Sequence, residues 1–265
     1  MQIEVIINKL DGLFAENKGQ EAQRLLEDSI KIAMEEEDDN ALLTLLNEMI
    51  GYMRETSQVE GAYSYAQTTL RLMENMNIKG SKAYATTLLN IANAYRAGGR
   101  LQESLSYYEE VLAIYKELVD EKDMLFAGLY NNMSLLYQEM GEFVRAKESL
   151  LQALAIVKLN QDTAFEEAVT YANIASTCLT LNQDEEAYSY CIKAIKIFET
   201  EGIKDAHYCA ALSSMGTYYY KMKAYEQAGN YFEQAMAGIK EALGENEYYH
   251  RLSENLEACK RAMSQ

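Results

Sequence analysis

The stretch that decides the fold is Tyr130-Asn131-Asn132-Met133-Ser134-Leu135-Leu136-Tyr137, continued by Gln138-Glu139-Met140-Gly141-Glu142-Phe143-Val144-Arg145-Ala146. Tyr130, Met133, Ser134 and Tyr137 are spaced by three and four residues, which puts them on one face of a helix. Gly141 interrupts the pattern, and glycine tolerates the positive φ of a helix-ending turn. Ala146, Leu150 and Ala153 then lie on one face of a second helix. Small residues fall where the two helices must approach closely, and large ones fill the space between.

The same grammar recurs along the chain. The small residue opening each second helix falls at Ala22, Ala62, Ser104, Ala146, Ala187 and Ala228, at intervals of 40, 42, 42, 41 and 41 residues. The third unit reads Leu88, Ile91, Ala92, Tyr95, then Gly99, Ser104 and Tyr108. The fifth reads Tyr171, Ile174, Ala175, Cys178, then Asn182, Ala187 and Cys191. The sixth reads Leu212, Met215, Gly216, Tyr219, then Lys223, Ala228 and Phe232. Lys223 suits a positive-φ turn less well than Gly or Asn. A fixed period of this length marks a stack of two-helix units. The spacing predicts a single all-α domain over 1–265, with helix pairs at about 3–38, 40–78, 81–121, 123–160, 163–202 and 205–243. A last helix at about 246–263, with Leu256 in the register of the first helices, is expected to cap the final pair.

Composition agrees. The chain has 0 Pro and is rich in helix-forming residues, so long helices can run unbroken. The net charge of −17 opposes nucleic acid and anionic lipid as partners. No apolar run reaches the roughly 18 residues that span a bilayer, and residues 1–10 lack the basic start of a signal peptide. Cys178, Cys191, Cys209 and Cys259 form no Cys-x-x-Cys pair and are expected to be buried, reduced thiols of a cytoplasmic protein.

Helix pairs with Leu/Tyr-x-x-Ile/Met-small-x-x-Tyr, then Gly, then Ala-x-x-x-Tyr/Phe-x-x-Ala resemble the tetratricopeptide repeat family. The common repeat of that family is 34 residues and ends in proline. The longer period here, without proline, is similar to the repeats of kinesin light chains and of bacterial peptide receptors. The resemblance implies a right-handed superhelical solenoid of six antiparallel helix pairs plus a C-terminal capping helix. Its first helices would line a concave face that grips a peptide or a partner's helix.

The polar residues of that face are the candidate site. Just ahead of each first-helix landmark (Ile91, Met133, Ile174, Met215 and, on the last helix, Leu256) stand Asn90, Asn132, Asn173, Ser214 and Asn255. Asparagine is a mediocre helix former, so its recurrence in register asks for a reason. One amide offers both donors and an acceptor, enough to pair with the main chain of an extended peptide. The resemblance assigns that role to Asn90, Asn132 and Asn173; the alternative is that these amides bond neighbouring helices. Helical spacing adds Asn93, Arg96, Asn131, Gln138, Ser176, Thr217 and Tyr220 to the same face. Arg54, Arg96 and Lys221 are candidates to meet ligand carboxylates. In Tyr218-Tyr219-Tyr220, side chains about 100° apart place Tyr219 in the core and Tyr220 in the groove.

Chemistry-bearing motifs are otherwise sparse. His207 and Cys209 lack a second ligand pair for zinc, Gly98-Gly99 follows no strand, and no nucleophile sits in a recognisable elbow. We therefore expect no catalytic site, metal or cofactor. The expected function is a non-catalytic protein- or peptide-binding scaffold; a ligand-responsive sensor that changes superhelix curvature and acts through a separate partner is the alternative. The apolar run Ile3, Val5, Ile6, Ile7 and Leu10 either packs on the second helix or forms a homodimer through the N-terminal helices.

Overall fold

The structure, a computed structural model, describes residues 2–16 and 18–264; residues 1, 17 and 265 of the expected 1–265 array lie outside the described residues. The described residues form thirteen α-helices and no strand. They are α1 Ile3–Ala15, α2 Gly19–Glu35, α3 Asp39–Glu55, α4 Val59–Asn75, α5 Lys82–Ala97 and α6 Leu101–Leu118. Then follow α7 Met124–Glu139, α8 Phe143–Val157, α9 Ala164–Thr180, α10 Asp184–Thr200, α11 Ala206–Lys221, α12 Tyr225–Leu243 and α13 Glu247–Met263. Six helix pairs and a final helix are thus present at the expected places.

The chain gathers into two compact units, Met1–Asp120 and Glu121–Gln265. The first holds three helix pairs, α1–α6. The second holds three pairs, α7–α12, and α13 packed on α12.

The turns inside the second to sixth pairs are built the same way from different residues. Ser57, Gly99, Gly141, Asn182 and Lys223 have φ of 58°, 79°, 77°, 57° and 61°. The next residue's N–H returns to a carbonyl five residues back: Arg100 to Tyr95 at 2.9 Å, Glu142 to Tyr137 at 2.7 Å, Ala224 to Tyr219 at 2.9 Å. This left-handed closure satisfies carbonyls that a helix end would otherwise leave open. Lys223 adopts it despite its Cβ. Five of the connectors end on side chains that cap the helix that follows. Asp38, Ser81, Asp123, Asp205 and Asn246 accept from the main-chain N–H of Ala41, Tyr84, Leu125, Tyr208 and Tyr249 at 2.9–3.1 Å. These caps set where α3, α5, α7, α11 and α13 start, and so fix the register of the face each presents; α9 starts at Thr163 without a side-chain cap.

The landmarks are interior. Ala22, Ala62, Ser104, Ala146, Ala187 and Ala228 are each at most 1% exposed, and Leu256 is buried. At Gly216 a Cβ would stand 2.8 Å from the Phe232 ring of α12, so this first helix needs glycine at its small position. In the second unit Leu150, Tyr171, Ile174, Cys178 and Phe198 form one apolar cluster, and Leu212, Phe232, Ile239, Leu252 and Cys259 another. All four cysteines are free and buried; burial pushes the Cys191 thiol up to about 12, and raises Cys178, Cys209 and Cys259 above the usual thiol range. Tyr219 is half-buried and stacks on Tyr231 with ring centroids 5.5 Å apart. On α1, Leu10 is buried while Val5 stays 60% exposed.

Candidate functional site

In the second unit the first helices α9 and α11, with α13, build a cavity of about 460 Å³. Asn173 and Ser176 come from α9, Ser213, Ser214 and Thr217 from α11, and Asn255 from α13. Ala172, Leu179, Ala210 and Tyr248 supply its apolar surface, with Thr180 and Arg251 at its edge. Small residues on α11 keep that helix low, so side chains of α9 and α13 face one space across it. A second cavity of about 240 Å³ shares Thr217 and Asn255 and adds Tyr220, Phe232 and Ala258. Tyr220 is 39% exposed and meets Tyr225 edge-on at 5.4 Å. The structure therefore brings together Asn173, Ser176, Ser214, Thr217 and Tyr220 of the residues read from the sequence, and Asn255 with them.

The amides here are available. Asn173 and Asn255 are half-buried, and neither side chain has a hydrogen-bond partner among the described residues. Each brings two donors and an acceptor to the cavity wall. The hydroxyl of Thr217 donates to the Ser213 carbonyl at 3.0 Å, which leaves its lone pairs open. No Asp or Glu lines either cavity.

Other sequence-read residues are engaged elsewhere. Asn131, on α7, donates to the Ala127 carbonyl at 3.0 Å and to the Thr170 hydroxyl of α9 at 3.4 Å, so it ties two first helices together. Asn132, its neighbour, is half-buried and without a side-chain hydrogen bond among the described residues, as is Gln138; neither lines the cavity around Asn173. In the first unit Asn90 donates to Asn47 at 3.3 Å, and Asn47 donates to Thr87 at 2.9 Å. Asn90 thus bonds a neighbouring first helix through one amide hydrogen. Asn93 is 7% exposed, and its side-chain Oδ1 accepts from the Tyr108 hydroxyl at 2.5 Å, inside the α5–α6 pair. Arg96 is half-buried on the same helix. Lys221 pairs with Asp184 and donates to the Leu179 carbonyl at 3.2 Å and Asn182 at 3.0 Å, closing the α9 end. Arg54 lies 3.2 Å from Glu55.

Sequence reasoning missed Tyr248 and Arg251. A signal was present: Arg251 is one turn before Asn255, as Ala210 is before Ser214, and both line the cavity. The Arg251 guanidinium lies 4.9 Å from the Tyr248 ring centroid. Burial raises the Tyr248 phenol above its usual range, against the opposing pull of a hydrogen bond with Ser213 and of the Arg251 charge. Among the described residues no three metal-ligating side chains cluster, and no helix is long and apolar enough to cross a membrane.

Known proteins share this architecture. The chain is 26% identical over 156 residues to KINESIN LIGHT CHAIN-RELATED 1 of Arabidopsis thaliana, a match covering 58% of this chain and 26% of that protein. The chain thus spans about a quarter of that relative's length. Apo RapI superposes with a TM-score of 0.73 at 15% identity, over 100% of this chain and 72% of RapI. NprR, solved in complex with its cognate peptide NprX, superposes with a TM-score of 0.70 at 14% identity, over 95% of this chain and 71% of NprR. Both kinds of long repeat that the sequence resembles are therefore represented. The Tetratricopeptide repeat profile matches residues 42–117, 83–159 and 166–241, which is most of the chain and follows the observed helix pairs. Pair after pair with the same buried landmarks and the same turn, matched by that profile, makes the chain a member of the tetratricopeptide repeat family.

Proposed function

We propose that the chain is a non-catalytic binding module that takes a peptide or protein segment in the cavity formed by α9, α11 and α13. The observation that carries this reading is the pair of unbonded amides, Asn173 and Asn255, facing one carboxylate-free cavity from opposite walls. An amide left without a partner in a folded protein is poised to bond a main chain, whereas amides with structural work, such as Asn131, already hold their neighbours. Shared fold with NprR, which was solved with a peptide, is consistent with this use of the face. The long-repeat likeness to kinesin light chain-related proteins fits a protein-binding role equally well.

The test is peptide retention by the immobilised chain, wild type against the Asn173→Ala/Asn255→Ala double variant, using a random hexapeptide library. Two neutral hydrogen bonds lost should weaken retention by about tenfold or more. Both positions lie on half-buried helix surface, so the double variant should keep its helical circular dichroism. Unchanged retention in a folded double variant would remove the assignment.

A further inference from the structure

We infer that Tyr188 of α10 and Tyr218 of α11 form an oxidative modification site, where a one-electron oxidant joins the two rings by a carbon–carbon bond and ties the fifth helix pair to the sixth. Neither tyrosine lines the cavities of the peptide-binding face, so the coupling stands or falls apart from that reading.

The chain has 21 Tyr and 0 Trp, so phenols are its most readily oxidised aromatic groups. The Tyr188 and Tyr218 ring centroids stand 4.7 Å apart with planes 31° from parallel, and both rings are half-buried. Rings this close hold their edge carbons side by side, so two radicals formed there meet without diffusing. No Lys or Arg lies over either ring among the described residues. Other tyrosine pairs differ. Tyr63 and Tyr95 are 5.0 Å apart at 57°, but the Arg100 guanidinium lies 5.2 Å and 4.7 Å from their centroids. Lys193 lies 5.4 Å and 5.0 Å from the centroids of Tyr171 and Tyr190. A cation over a ring opposes loss of an electron from it. Tyr219 meets Tyr218 and Tyr188 edge-on, at 74° and 85°. Tyr219 and Tyr231 stack at 5.5 Å, but burial raises both phenols and so holds the protons that oxidation must release.

The oxidant is of the class that a haem peroxidase makes from hydrogen peroxide. Each phenol gives up one electron and its hydroxyl proton, and the peroxide that takes both pairs becomes two waters. The two phenoxyl radicals join at the ring carbons next to their oxygens. Each joined carbon then releases its hydrogen as a proton, one proton returns to each oxygen, and both phenols are restored. Two tyrosines and one peroxide thus give one dityrosine and two waters. Cys191 lies fully buried in the same cluster, with its thiol pushed up to about 12, and so offers no thiolate to quench the radicals. The link joins α10 to α11, helices of successive pairs that already pack together, and holds those pairs at a fixed spacing.

The experiment treats the full chain with hydrogen peroxide and a haem peroxidase, then isolates monomer by size exclusion. Dityrosine fluorescence gives the yield, and mass spectrometry of tryptic peptides gives the position. Wild-type monomer should yield the peptides ending at Lys193 and Lys221 joined with the loss of two hydrogens, and fragment ions should place the link at Tyr188 and Tyr218. Tyr188→Phe and Tyr218→Phe each keep the packed ring but cannot form a phenoxyl radical. Each should match wild type in thermal unfolding before oxidation and lose about tenfold of the monomer dityrosine. Links placed mainly at Tyr63 and Tyr95 or at Tyr219 and Tyr231 overturn the inference, as does a yield unchanged in either variant. Wild-type monomer without dityrosine, whether the chain stays unlinked or links only between copies, overturns it too.

Discussion

One residue type does three kinds of work in this chain. Asn93 is sealed inside a helix pair against Tyr108; Asn47 and Asn131 tie successive first helices through Thr87 and Thr170; Asn173 and Asn255 face a cavity unbonded. What separates them is the hydroxyl each neighbour offers, not the asparagine. The turn residues behave differently, because there the backbone dictates. Lys223 holds φ 61°, a conformation that costs a residue with a Cβ about 1 kcal/mol or more. Lys223→Gly should therefore raise stability by roughly 1 kcal/mol in urea titration. The left-handed position was legible from Gly99, Gly141 and Asn182 at equivalent places, since those residues share a tolerance of positive φ. The division of the asparagines was not, since it depends on partners 15, 39 and 40 residues away.

At the scale of helices, small residues decide how close each pair comes. The ring of Phe232 lies where a Cβ on Gly216 would go, so Gly216→Ala must push α11 from α12. We expect a loss of about 1–3 kcal/mol by thermal unfolding. The tie between first helices is milder. Thr170→Val keeps the shape but removes the hydroxyl that Asn131 reaches, and should cost about 1 kcal/mol. The period made helix pairs legible because every pair must bury the same apolar positions. It hid the role of α13. A final helix reads as a cap through Leu252, Leu256 and Cys259, which are buried, while its other face carries Tyr248, Arg251 and Asn255 into the cavity. One helix covers the core with one stripe and completes a site with the next, where Asn255 keeps the repeat's register and Tyr248 and Arg251 are particular to this helix.

For the molecule as a whole, the helix pairs gather into two compact units of three pairs each. Nearest-neighbour packing makes three stacked repeats enough for a stable core. Residues 121–265 expressed alone should therefore give a helical protein with a cooperative thermal transition, measured by circular dichroism. The candidate cavity lies wholly inside that unit. The account's central claim, that the face built by α9, α11 and α13 binds a peptide, is tested most directly by amide NMR of the chain titrated with hexapeptides it retains. The account predicts saturable shifts at Asn173, Ser176, Ser214, Thr217 and Asn255, with the outward residues Ile192 of α10 and Val144 of α8 unmoved. Shifts centred on α8 and α10 with the five cavity residues unchanged would contradict it.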